Sequence, residues 1–377
     1  MRIGINARYI QKQATGIENY LSQIISNLKR IDSKNEYVLF FGSDKPVPGG
    51  FPSDNFAVDV PKFKTNSQLK RLFWEHFYLP SAITRNKIDV FHEPSFIAPM
   101  FKKCPTVITI HDLAFIIHPE CFTFKNVLYF KAMMKRSIES SDYVIAVSES
   151  TKNDIINRFK VSPEKVKMIH SGVNEYFHRI EDKKAIKPVL EKYGITRDFI
   201  LNVSLISPRK NLLNLLKSFK LMREKKSVDY QLVITGAKGW LYEDIFKAVS
   251  DLSLQKDVVF TGYVSDSELL CLYNSAKIFA YPSVYEGFGF PALEAMACGC
   301  PVVASNTSSL PEICGDAALL VEPADLDELS DALYRMLTDS KLREDMIKRG
   351  FVRITKFSWR NTAKETLSLY HTLYAKN

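Results

Sequence analysis

Short apolar runs alternate with longer amphipathic stretches along this chain, and the alternation is carried through twice. Residues 3–6, 37–41, 89–92, 106–111 and 143–147 have the length and content of buried strands, with helical periodicity over 18–28 and 127–137. Strands that alternate with helices imply a parallel sheet covered on both faces, because a parallel neighbour is reached only through a crossover. The pattern restarts at 199–204 and continues through 231–235, 258–261, 278–281 and 301–304, with helices over 212–222 and 293–297. A single core stops growing at about 250–300 residues. At 377 residues the expectation is therefore α/β, two doubly wound domains facing a cleft. Their limits are set at 1–178 and 189–358, with the charged, irregular stretch 179–188 as linker.

No run approaches the roughly 20 apolar residues of a membrane span. The chain opens on strand-like Arg2-Ile3-Gly4-Ile5-Asn6-Ala7, not on a signal peptide, so a cytoplasmic location is expected. The six cysteines match no zinc or redox spacing and read as reduced, small apolar residues. The net charge of +9 is uneven: residues 1–175 carry 24 Lys/Arg against 17 Asp/Glu, residues 176–377 carry 27 against 25. Nucleic acid, an anionic membrane and a phosphorylated acceptor would each suit that excess. The absence of an aromatic stacking platform or recognition helix argues against nucleic acid. Within the basic half, residues 62–77 mix Lys62, Lys64, Lys70 and Arg71 with Phe63, Leu69, Leu72, Phe73, Trp74 and Phe77. Such a stretch can lie on an anionic bilayer; packing its aromatics into the first domain is the equal alternative.

In doubly wound sheets, ligands bind where strands end. After the first strand come Ala14-Thr15-Gly16-Ile17-Glu18, a glycine at a helix start that lets a ligand approach the backbone. No G-x-G-x-x-G follows, which disfavours a nicotinamide cofactor. His111-Asp112 ends another strand, a polar pair facing the expected cleft. Arg209 and Lys210 follow a buried strand and precede a helix, where cations are unfavourable unless an anion joins them; a phosphate would serve. Glu286 and Glu294 are eight positions apart around Gly287-Phe288-Gly289 and a helix opened by Pro291. A glutamate early in that helix suits a ribose diol, and one in the loop suits a sugar.

With these motifs in order, nearly the whole chain resembles the family-4 retaining glycosyltransferases of the GT-B fold, which is built from two Rossmann-like domains. The parts that carry the resemblance are Gly16 to Tyr20, His111-Asp112-Leu113, residues 142–150 and 171–174, Pro208-Arg209-Lys210-Asn211, Gly262-Tyr263-Val264, and Glu286 through Glu294, the family's E-x7-E motif. The resemblance implies that Gly16 lies against the donor diphosphate and that Arg209 and Lys210 hold its phosphates. It further implies that Glu294 binds the ribose and that Glu286, with the Gly287, Phe288 and Gly289 backbone, contacts the donor sugar. Tyr263 and Val264 would line the base pocket, His111 would stand beside the reacting sugar, and a helix over 359–377 would cross back to the first domain. Relatives usually have glycine where Ser204 stands, close to the phosphates, and aspartate where Asn174 stands; the second change is expected to be structural.

The implied reaction is transfer of a hexose from a nucleotide diphosphate with retention, by front-face attack in which a donor phosphate oxygen takes the acceptor's proton. No protein nucleophile is assigned. Arg209 and Lys210 would stabilise the leaving diphosphate, and with no Asp-x-Asp where a metal site would be expected, no metal or other cofactor is expected. The wording of the motifs is most similar to bacterial mannosyltransferases, so GDP-mannose is the expected donor. A saccharide or lipid-linked saccharide is the expected acceptor, in surface polysaccharide synthesis such as lipopolysaccharide, with the enzyme cytoplasmic and peripheral at the inner membrane face. The alternatives are a UDP-sugar-dependent transferase, a nucleotide-sugar epimerase, or a non-catalytic binding subunit.

Overall fold

The computed structural model describes residues 1–10, 16–42, 54–101, 103–122, 124–226 and 228–376. The chain divides into two units, the first made of Met1–Ile116, Phe124–Gly172 and Ser358–Asn377, the second of Ile117–Thr123 and Val173–Phe357.

Among the described residues the first unit holds seven parallel strands, β1 (Arg2–Asn6), β2 (Glu36–Phe40), β3 (Phe56–Asp59), β4 (Val90–Glu93), β5 (Thr106–Ile110), β6 (Tyr143–Ala146) and β7 (Val166–Met168), in the order β3-β2-β1-β4-β5-β6-β7. Strands such as Thr106–Ile110 are buried along their whole length, as expected when helices cover both faces. The helix Trp359–Ala375 completes this unit. It packs on the helix Gly16–Ile31 with Trp359 edge-on to Tyr20 at 5.8 Å. Its Tyr370 hydroxyl lies 2.6 Å from His92 Nδ1, and Thr362 Oγ1 donates to the His170 carbonyl at 2.7 Å.

Among the described residues the second unit holds six parallel strands, β8 (Phe199–Val203), β9 (Gln231–Thr235), β10 (Val258–Gly262), β11 (Ile278–Tyr281), β12 (Val302–Ser305) and β13 (Ala318–Val321), in the order β10-β9-β8-β11-β12-β13. Its core gathers Leu215, Leu216 and Phe219 from the helix Leu212–Lys226 with Leu329, Leu333 and Met336 from Leu326–Thr338. The chain enters this unit at Val173, ahead of the expected linker. Residues assigned to that linker instead form the start of the helix Ile186–Lys192, which packs on the helix Asp266–Ser275. Of the charges that suggested a linker, Lys187 is exposed on this helix, and Arg179, Glu181, Asp182 and Lys184 are exposed ahead of it. Asn174 Oδ1 accepts from the Tyr176 amide at 3.0 Å, a local turn bond.

Gly172 closes the first unit against the terminal helix, and a Cβ there would lie 2.2 Å from the Trp359 nitrogen. Gly172→Ala should therefore cost about 1–3 kcal/mol by overpacking and loosen the helix Trp359–Ala375. Limited proteolysis should cut the variant near residue 358 faster than the parent, and equal rates would remove this role.

Candidate active site

The second sheet reverses direction between β8 and β11, neighbours from which the strand order runs opposite ways. Residues leaving these two strands share the switch point where such sheets bind ligands. After β8 the chain makes a 3-10 turn, Pro208–Lys210, closed by Asn211 at φ 57°. After β11 it runs through 282–289 into the helix Phe290–Ala297.

Glu286 joins the two segments. Arg209 Nη1 donates to Glu286 Oε2 at 2.9 Å and to the Tyr285 carbonyl at 2.6 Å. Lys210 Nζ donates to Glu286 Oε1 at 2.5 Å and lies 3.4 Å from the Tyr281 hydroxyl. The anion that the two cations required is thus supplied by the chain itself. Burial alone would raise the Glu286 carboxyl, but the charges of Arg209 and Lys210 outweigh it and hold the pKa at about 2. Two cations against one carboxylate leave the cluster net positive.

The loop after Glu286 is held from below. The Glu286 amide donates to Ser308 Oγ at 2.8 Å, and Ser309 Oγ lies 3.0 and 2.8 Å from the carbonyls of Glu286 and Phe288. Gly289 precedes the helix at φ 113°, a conformation open to glycine, while Phe288 is buried against Phe290 and Phe357. Glu294, in the second turn, accepts from the Tyr273 hydroxyl at 3.1 Å. Burial raises its pKa to about 7, against the pull of that bond. The two glutamates therefore differ in state: Glu286 is ionised by its neighbours, and Glu294 is poised near neutrality.

Ser204 Oγ donates to Asn202 Oδ1 at 2.7 Å, and Asn202 Nδ2 donates to the Ala280 carbonyl at 2.8 Å. The hydroxyl that replaces the usual glycine is thus turned back into the sheet. The close approach falls at Gly236 instead, where a Cβ would lie 2.0 Å from the Ser204 carbonyl oxygen. Tyr263 is exposed and Val264 buried, both beyond the edge strand β10 and apart from the Glu286 cluster. Sequence reading missed Tyr273, Tyr281, Ser308 and Ser309, whose role lies in holding glutamates rather than in any spacing of their own.

In the first unit Gly16 opens the helix Gly16–Ile31, and a Cβ there would meet nothing within 4 Å. Ala14 and Thr15 lie outside the described residues. His111 follows β5, edge-on to Tyr20 at 4.8 Å. Its Nε2 lies 2.9 Å from the Pro94 carbonyl, which can only accept, so Nε2 carries the proton and neutral Nδ1 is an acceptor. Burial pushes the ring's pKa down, against the Pro94 bond and the charge of Asp112. Among the described residues no group of three or more His, Cys, Asp and Glu side chains could hold a metal ion.

Two parallel doubly wound units, the second with this Arg-Lys-Glu cluster and E-x7-E loop at its switch point, define a glycosyltransferase of the GT-B fold. Residues 14–176 match the model for Glycosyltransferase Family 4 and residues 182–353 that for Glycosyl transferases group 1. The chain is 30% identical to O-antigen chain mannosyltransferase B of Escherichia coli, over 99% of this chain and all of that one. It is 27% identical to O-antigen chain mannosyltransferase RfbU of Salmonella typhimurium, covering 88% of this chain and 92% of that one. Its fold matches sucrose-phosphate synthase from Thermosynechococcus elongatus with a TM-score of 0.79 at 20% identity, over the full length of both. The chain belongs to the family-4 glycosyltransferases.

Removing Glu286 takes from two largely buried cations the carboxylate they share, so Glu286→Ala should lower the unfolding free energy by about 3–5 kcal/mol. Because its folded pKa is depressed from 4.5 to about 2, the parent's share of stability from this group is present above pH 4.5 and lost as pH falls through 2. Urea unfolding at pH 7 and at low pH reads both. An unchanged midpoint in the variant would mean that this carboxylate does not hold the cations.

Proposed function

We propose that this enzyme transfers mannose from GDP-mannose, with retention, to a saccharide or lipid-linked saccharide acceptor in bacterial surface polysaccharide synthesis. The observation that carries the reading is the net-positive Arg209–Lys210–Glu286 cluster at the second sheet's switch point. Breaking the donor bond builds negative charge on the departing diphosphate, and preorganised cations there stabilise the transition state more than the ground state. Glu286 fixes both cations in place, so little reorganisation is needed when the charge develops. These cations supply the positive charge of the reaction, and we assign no metal or other cofactor. Glu294, early in its helix, is the ribose partner, with Gly16 against the diphosphate and Tyr263 and Val264 toward the base. His111 is the polar group for the reacting sugar, its Nδ1 accepting a hydroxyl proton, and the acceptor's proton passes to a donor phosphate oxygen. Mannose is favoured by the full-length likeness to an enzyme named as an O-antigen mannosyltransferase.

The first unit has a surface suited to the inner membrane face. The expected amphipathic stretch folds as a helix Gln68–Phe73, a π-helical turn Trp74–Tyr78 and a helix Leu79–Arg85. Trp74 is fully buried, but Leu69, Phe73, Phe77, Met100 and Phe101 are exposed. Phe73 stacks on Phe77 at 5.6 Å, and Phe77 lies 6.2 Å from Phe101. Exposed Lys62, Lys64, Lys70, Arg71 and Lys103 accompany this ridge. Aromatics bordered by cations fit an anionic bilayer, and no helix among the described residues is long and apolar enough to cross one.

Metal-stripped protein should be stabilised thermally by GDP and GDP-mannose, by about 2.7 kcal/mol at a hundred times the dissociation constant. Arg209→Ala should raise the barrier to transfer by about 1.5–3 kcal/mol, and Glu294→Ala should weaken nucleotide binding. A response to UDP compounds alone would replace the donor, and no response to any nucleotide would sink the transferase reading.

Vesicles containing anionic phospholipid should sediment the parent but bind the Phe73→Ser/Phe77→Ser variant about tenfold less. Equal binding of the parent to neutral and anionic vesicles would remove the electrostatic part of the membrane assignment.

A further inference from the structure

The first sheet also reverses, between β1 and β4, and a buried polar network occupies that switch point. Asn6 Nδ2 donates to Glu93 Oε2 at 2.7 Å, and Ser95 Oγ donates to Glu93 Oε1 at 2.8 Å. Ser95 Oγ lies 2.9 Å from the Tyr9 hydroxyl, which accepts from Arg8 Nη2 at 3.0 Å. The Arg8 amide donates to Asn6 Oδ1 at 3.1 Å and closes the ring of bonds. One member stands outside it. Glu75, on the π-helical turn Trp74–Tyr78, is 3% exposed, and its Oε1 lies 3.6 Å from Arg8 Nη2 without a hydrogen-bond partner.

A buried carboxylate oxygen with an unmade bond costs folding free energy, and π-helical turns gather at functional sites. The rest of this network is satisfied, so the open acceptor is specific to Glu75, beside a guanidinium. We propose that Arg8 and Glu75 clamp a pair of neighbouring hydroxyls on a neutral saccharide, Glu75 accepting from one and Arg8 donating to the other.

Several features favour a neutral ligand over a phosphate. A phosphate drawn to Arg8 would meet the Glu75 carboxylate, whereas a hydroxyl donates to it. Behind it Glu93 is pushed up to about 8 by burial and the charge of Glu75, so it adds no second negative charge at neutral pH. Tyr129 is 39% exposed and within the fields of Glu75 and Arg8, an aromatic face at the rim for a sugar's apolar side. Pro94, between Glu93 and Ser95, is the residue whose carbonyl holds His111, so His111 and the network behind Arg8 are bonded to the same segment, 93–95. Identifying this saccharide as the acceptor rests on the transferase reading; the binding itself does not.

The chain has three tryptophans, and Arg8 lies over the Trp74 ring at 5.5 Å. Protein carrying 15N-tryptophan, with peaks assigned by Trp→Phe variants, should show saturable movement of the Trp74 indole peak with methyl α-D-mannopyranoside and none with inorganic phosphate. Glu75→Gln should weaken that response about tenfold or more, with the Trp359 peak and GDP stabilisation unchanged as signs of intact folding. Arg8→Lys, which loses the fork, should weaken it too and serves if the glutamine variant does not fold. A Trp74 peak unmoved by the mannoside in protein that GDP stabilises overturns the clamp and leaves the transferase reading standing. A peak moved by phosphate, or an undiminished response in folded Glu75→Gln, overturns it as well. Mannoside binding without nucleotide binding would keep the clamp and remove only its identification as the acceptor site.

Discussion

A parallel strand pairs with its neighbour only after the chain has travelled back to the same end. That requirement shapes both halves of this protein. Every strand of a sheet then releases its following residues at one edge, and helices fill both faces. Where the strand order turns, the helices leaving adjacent strands go to opposite faces and the edge between them stays open. In the second unit that opening carries Ser204, the Pro208–Lys210 turn and Glu286; in the first it carries Arg8, Glu93 and Ser95.

The Arg209–Lys210–Glu286 cluster shows how one carboxylate can serve architecture and the proposed chemistry together. Glu286 ties two loops that are 76 and 77 residues apart in sequence, and it does so through the cations that the proposed reaction uses. Its own ionisation is secured by them against burial. Glu294, eight residues on, has a tyrosine hydroxyl in place of a cation and titrates near neutrality. The same residue type is thus set to two states by what packs beside it.

Much of this was legible in the chain. The two-fold alternation of apolar runs announced two parallel sheets, and the Glu286–Glu294 segment announced the family. Three edge or near-edge strands were not read: β3 is only Phe56–Asp59, β7 is three residues around an exposed Lys167, and β13 follows directly on a turn. β3 and β7 carry little apolar signal, and β13, though apolar, is only four residues long. The boundary between units was sought in the charged stretch 179–188, but the chain crosses at Gly172, where close packing on Trp359 leaves no compositional trace. Spacing could not show that Glu286 bridges Arg209 and Lys210, nor that Glu75 meets Arg8, because those pairs form only once distant strands align.

The first unit borrows its last helix from the far end of the chain, after the second unit is complete in sequence. During synthesis the part that begins to emerge first is therefore the last to be finished. Until Trp359–Ala375 leaves the ribosome, Tyr20, His92 and Thr109 have no cover from Trp359 and Tyr370. The second unit, made of Ile117–Thr123 and Val173–Phe357, needs nothing that follows residue 357. The second unit can mature while the first still waits for that helix.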